Sequence, residues 1–189
     1  MKSFHIPGHT LFTTLKSFWF DAPNAWANET THPTATTELK KKVLFPMIII
    51  CVICTTLGKY ITEQRIEAAI IWGIVEGCLM LASYHICVYI CKKERNTRQE
   101  HIDDDTCNKI VLFPFTIVLG VNTVHSLLTS WFFLYLLLGV VFYEVWIAAN
   151  SYLKINNQTK DSFFFTNSIA IIITPAIMES ITHKILVNL

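Results

Sequence analysis

The sequence predicts an all-α fold, a polytopic membrane bundle of five transmembrane helices in which spans 1–2 and 3–4 form a parallel hairpin repeat. Three observations predict it. Hydrophobic residues make up 52% of the 189 residues and charged residues only 15%, against about 25% charged in a soluble domain. The apolar residues gather in runs close to the roughly 20 needed to cross a bilayer core of about 30 Å. Lysine and arginine alternate between rich and poor in successive connections, as they do across a membrane. The net charge of +1 gives no reason to expect a nucleic-acid partner.

Residues 1–42 form an N-terminal segment on the cytoplasmic side. Leu11, Leu15, Phe18 and Trp19 fall on one face of a helix over 9–20, which predicts a short amphipathic helix lying in the membrane interface. Pro23 and Pro33, with many Thr and Asn between, predict a linker over 21–37. The apolar patch around Phe18-Trp19-Phe20 is too short for a secretory signal. Asn28-Glu29-Thr30 matches a glycosylation sequon, but the predicted topology keeps it away from that machinery.

The first span follows Lys40-Lys41-Lys42 and covers 43–60, with Pro46 in its first turn, where a missing N–H costs least. The second covers 68–91 and stops at Lys92-Lys93. Residues 110–153 are one apolar stretch, too long for a single crossing. Ser126, Thr129 and Ser130 divide it into spans over 110–128 and 131–153. The fifth covers 163–186 and contains Pro175.

Charge orients these spans. Lys40, Lys41, Lys42, Lys92, Lys93, Arg95, Arg98, Lys109, Lys154 and Lys160 fall on one side, and Lys59, Arg65 and Lys184 on the other. The basic side stays in the cytoplasm, so a five-span chain begins inside and ends on the opposite side.

A shift of 68 residues (114 − 46) aligns Val43-Leu44-Phe45-Pro46 with Val111-Leu112-Phe113-Pro114, and Glu76 with Glu144. Ser83-Tyr84 then meets Ser151-Tyr152. The two copies enter from the same side, as parallel repeats do.

Ionisable side chains inside a bilayer are costly and face the bundle interior. Glu76 and Glu144 lie at matching depths, with Asn122 and His125 one turn apart on the third span. Together they form a candidate intramembrane polar site. Two carboxylates brought close in low dielectric would hold a proton or cation between them. The plainer role, hydrogen-bonded glutamates joining helices, also fits. Glu179 and His183 share a face of the fifth span at i, i+4, a weaker site; two ligands without a third do not make a metal centre. His85 is a further polar point, and His5 and His9 carry no assignment. The six cysteines fall mostly within apolar runs, so Cys51 and Cys54, despite their C-x-x-C spacing, read as small packing residues. Asp103-Asp104-Asp105 follows a basic cluster and reads as part of a solvated loop.

The layout, together with Pro114 near the start of the third span and the run Ile155-Asn156-Asn157 to Ser162-Phe163 and then Ile169-Ala170-Ile171, resembles the Yip family (Ypt-interacting proteins and their bacterial relatives). The resemblance implies a cytosolic N-terminus, five membrane helices and a non-enzymatic role in membrane organisation or trafficking. That role would act through lipids, membrane-protein partners or a second copy of the chain. The short N-terminal segment, without the acidic motifs of eukaryotic members, is similar to the bacterial type, so a bacterial inner membrane is expected and a eukaryotic endomembrane is the alternative. No H-E-x-x-H or G-x-S-x-G stretch occurs, and the expectation is a protein that is not an enzyme and needs no cofactor. The competing expectation is a small transporter or channel that uses Glu76 and Glu144.

Overall fold

The computed structural model describes residues 11–97, 102–128, 137–152 and 157–187, with the side chains of 96–97, 152–160 and 183–187 outside the description. Within these residues all regular secondary structure is helical. Short helices α1 (Leu11–Phe20) and α2 (Ala22–Thr31) lead into α3 (Thr36–Leu39), which continues through a π-turn at Lys40–Leu44 into α4 (Phe45–Glu63). Next come α5 (Ile66–Thr97), α6 (Asp104–Leu127), α7 (Leu138–Tyr152) and α8 (Asn157–Val187).

Among the described residues four rods are long and apolar enough to cross a membrane: Thr36–Glu63, Ile66–Arg95, Asp104–Leu127 and Asp161–Thr182. Helix α7 is apolar but shorter. Its 15 residues rise about 22 Å at 1.5 Å each. The predicted turn residues Thr129 and Ser130, and the predicted start of the fourth span at 131, lie outside the described residues, as do His5 and His9.

Helix α6 is the hub. Its most apolar stretch is 61% buried, against 22% for those of the α3–α4 rod and α8. The outer helices turn rows of large side chains outward: Ile49, Ile53, Leu57 and Ile61 on α4, and Ile169, Ile173, Ile177 and Ile181 on α8. Water would not tolerate such continuous faces, but lipid does.

Glycines set the closest approaches. Gly73 and Gly77, one turn apart on α5, lie where a methyl group would collide with Thr56 and Val52 of α4. Gly58 of α4 lies against the backbone of Ser126 on α6. Small residues at helix contacts bring backbones together in this way. The α4–α5 turn is tight because Gln64 takes a left-handed conformation, φ 55°, and its N–H caps the carbonyl of Tyr60 at 2.9 Å.

The N-terminal segment departs from the sequence-based expectation in two ways. The face of α1 bearing Leu15 and Phe18 is buried within the bundle, whereas the sequence had laid it on the membrane surface. The stretch expected to be a linker contains α2 and α3. Pro23, read as a breaker, occupies the first turn of α2, where proline is preorganised for helix. The described parts of the charged stretch 92–109 are largely helical, where a solvated loop was expected. Helix α5 continues to Thr97, and α6 begins at Asp104 behind an Asp103 cap that accepts the Thr106 N–H at 2.8 Å.

Candidate functional site

The bundle has two unlike ends. The end with α1–α2, Lys40–Lys42 and Lys92 is called the basic end. The end with the Gln64 turn and the last turn of α6 is the far end.

At the far end, four helices each contribute one stripe to a cavity of about 370 Å³. Thr55, Gly58, Lys59 and Thr62 come from α4 at i, i+3, i+4 and i+7. Trp72 and Glu76 stand one turn apart on α5. Helix α6 adds Val118, Asn122, His125 and Ser126, and α8 adds Ile172, Pro175, Ala176 and Glu179. Leu138 of α7 closes one side. Helical periodicity thus turns residues scattered along the chain into one lining. Gly58 makes it possible by letting α4 meet α6 backbone to backbone at the cavity wall.

Four of the six residues singled out from the sequence therefore meet: Glu76, Asn122, His125 and Glu179. Asn122 is fixed by an N–H to Met80 Sδ contact of 3.7 Å. Glu179 is the charged neighbour that acts on Glu76. Among the described residues neither glutamate has a basic ion-pair partner, and Lys59, which also lines the cavity, pairs with Glu63 at 3.4 Å. His183 continues the α8 stripe by one turn, but its side chain lies outside the described residues. His85 is exposed on α5 and lines no part of the cavity. Among the described residues no three His, Cys, Asp or Glu side chains converge as metal ligands. All six cysteines are free thiols, and Cys51 and Cys54 of the C-x-x-C stretch are among them.

Glu144 is not in that cavity. It is 1% exposed on α7, and one carboxylate oxygen accepts a 2.9 Å hydrogen bond from the indole N–H of Trp26. Its other oxygen, Oε1, has no partner among the described residues. Trp26 reaches it from the basic end inside an aromatic cluster. Phe18 stacks on Phe113 with centroids 3.4 Å apart, and Trp26 stands edge-on to both, at 5.2 and 5.3 Å. Trp19 donates to Thr116 Oγ1 at 3.0 Å. Helices α1 and α2 therefore close the basic end of the bundle.

Ion pairs that the sequence did not disclose hold this closure. Lys109, 3% exposed, pairs with Glu29 of α2 at 3.1 Å and with Asp105 at 2.9 Å. Both Glu29 oxygens are engaged, since Oε1 also accepts the Thr34 backbone N–H at 2.8 Å and Oε2 accepts the Thr34 hydroxyl at 3.2 Å. Asp104 accepts from Lys92 and Arg95, each at 2.6 Å, so the acidic triplet ties the end of α5 to the start of α6.

No protein-family model, curated protein or solved structure matches this chain. The architecture of an all-helical, membrane-embedded bundle rests on the chain's own residues.

Proposed function

We propose that this is a five-span integral membrane protein that binds and passes a small cationic solute through the far-end cavity, a small transporter or channel built around Glu76. The observation that carries this reading is the convergence of Glu76 and Glu179 with Asn122 and His125 inside an otherwise apolar helical bundle. A carboxylate at membrane depth is costly unless it faces an interior or aqueous space and meets a partner. A cavity of about 370 Å³ sits at the low end of small-ligand sites, roughly 300–1,000 Å³.

The fifth crossing is assigned to the shorter apolar helix α7. With Lys and Arg kept inside, the N-terminus is cytoplasmic and the cavity opens to the opposite side of a bacterial inner membrane. The cytoplasmic half is then closed by α1–α2, and alternation would need that closure to open. Glu144 acts there as the acceptor that seats Trp26, apart from the solute.

Reconstitution tests this. Liposomes carrying the protein should conduct a monovalent cation, and Glu76→Gln should abolish the flux while the variant still elutes as the folded species. Unchanged flux in Glu76→Gln would remove the proposal.

A second reading, the Yip-type role in membrane organisation through protein and lipid contacts, is favoured by the long isoleucine rows on α4 and α8. These would suit a membrane partner or a second copy of the chain. Crosslinking through Ile53→Cys or Ile173→Cys in native membranes should then recover a defined partner, and recovery of the monomer alone counts against it.

A further inference from the structure

The geometry points to a small organic ammonium ion, an amine carrying alkyl groups, as the cation that the far-end cavity binds. This rests on the cavity being a cation site at all, and adds the chemical class.

The first observation is that the cavity already accommodates an ammonium. Lys59 Nζ lies 5.0 Å from the centroid of the Trp72 ring, and both residues line the cavity. A cation at that distance is attracted by the negative face of the indole. Lys59 thus behaves as a tethered ligand and occupies an aromatic face that a diffusing ammonium would use.

The second is the placement of charge beside that ring. Glu76 stands one turn from Trp72 on the same face of α5, and Glu179 approaches from α8. With Lys59 retained by Glu63 at 3.4 Å, the two carboxylates outweigh the one ammonium in the lining. Among the described residues this excess of carboxylate over lysine favours a second cation.

The third is the make-up of the remaining walls. Val118, Leu138, Ile172 and Ala176 are apolar. A divalent inorganic cation needs several oxygen ligands at fixed distances, and among the described residues no group of three His, Cys, Asp or Glu side chains converges in that way; sodium and potassium, which the oxygens of Thr55, Thr62, Asn122 and Ser126 would suit, are the competing class. Alkyl groups on nitrogen would instead rest on these walls and on Trp72, with the charge facing Glu76. Recognition of alkylated ammonium by aromatic rings follows this pattern.

Calorimetry on the purified full-length protein in detergent tests the class, with tetramethylammonium, methylammonium, sodium and potassium as separate titrants. The expected result is binding of one or both ammonium ions and none of sodium or potassium at the same concentration. Trp72→Leu should weaken that binding about tenfold, the scale of a desolvated cation–π contact. Glu76→Gln should abolish it, and Lys59→Met should strengthen it by freeing the ring. Elution volume and helical content of each variant separate lost binding from lost folding. Binding of sodium or potassium in preference, untouched by Trp72→Leu, would overturn the ammonium class while leaving the cation pathway standing. If no titrant binds and liposomes show no flux, both fall together.

Discussion

Trp26 and Glu144 lie about 118 positions apart in the chain, yet the indole N–H of one donates to the carboxylate of the other at 2.9 Å in a fully buried setting. This contact joins the N-terminal helices to the membrane bundle. It also explains why Glu144, which a shift of 68 residues aligns with Glu76, stands apart from it. Among the described residues α1–α2 cover the end near Glu144 and not the far end, so the two glutamates meet different surroundings.

Removing the donor should be more damaging than its size implies. Trp26→Phe keeps an aromatic ring beside Phe18 and Phe113 but leaves Glu144 without its indole. A buried polar group that loses its partner costs about 1–3 kcal/mol. Thermal unfolding in detergent should show that loss. Glu144→Gln, whose amide oxygen can still accept, should cost less. A double-mutant cycle reads the coupling, and additive effects would mean that the contact contributes nothing.

The pairing of Lys109 with Glu29 predicts a second asymmetry. Lys109→Met strands a buried carboxylate and should cost about 3–5 kcal/mol, whereas Lys109→Met combined with Glu29→Gln should recover much of it. Limited proteolysis around Pro33 is the sensitive readout, since α2 is what the pair holds. Equal protection of single and double variants would contradict the assignment.

Packing at Gly58 gives a third test. An added methyl group would meet the backbone of Ser126, which cannot rotate away, so Gly58→Ala should destabilise by about 1–3 kcal/mol and weaken solute binding by forcing α4 from α6. Gly139 on α7 has open space around it. Gly139→Ala should be neutral or stabilising by up to about 1 kcal/mol, through helix propensity alone. Thermal unfolding of the two variants side by side decides the point.

At the basic end, short distances and large effects should not coincide. Asp104 makes two 2.6 Å contacts but is 61% exposed, and exposed pairs are worth about 0–1 kcal/mol. Asp103 makes one, to the Thr106 N–H, but it caps α6, and losing such a cap costs about 1 kcal/mol. Asp103→Ala should therefore lower stability at least as much as Asp104→Asn, and raised salt should shrink only the Asp104 effect.

Much of this could be read from the chain. The apolar runs disclosed the membrane helices because length and hydrophobicity are what lipid demands. The polar points Glu76, Asn122, His125 and Glu179 could be picked out because each is costly in lipid. Their meeting could not be read, since it depends on glycine contacts such as Gly58 with Ser126 that carry no periodic signal. Helix α1 was expected over 9–20, but α2 was missed for a local reason. Phe18, Ala22 and Trp26 repeat every four residues, a helical spacing, but Asp21 and Pro23 interrupt the sequence and looked like the end of order. The burial of Lys109 was hidden as well, because a lysine at a span boundary resembles any other orienting charge until its partner, Glu29, is in place.

The most direct test of the account asks where water enters the bundle. Thr55→Cys and Ser126→Cys place thiols in the far-end cavity, and Val145→Cys places one in the buried core beside Glu144. Intact membranes are exposed to an impermeant maleimide from one side at a time, and peptide mapping locates the label. The account predicts labelling at 55 and 126 only from the side opposite the N-terminus, and none at 145 from either side. Labelling at 145 with none at 55 and 126, or entry from the side of the N-terminus, would contradict it.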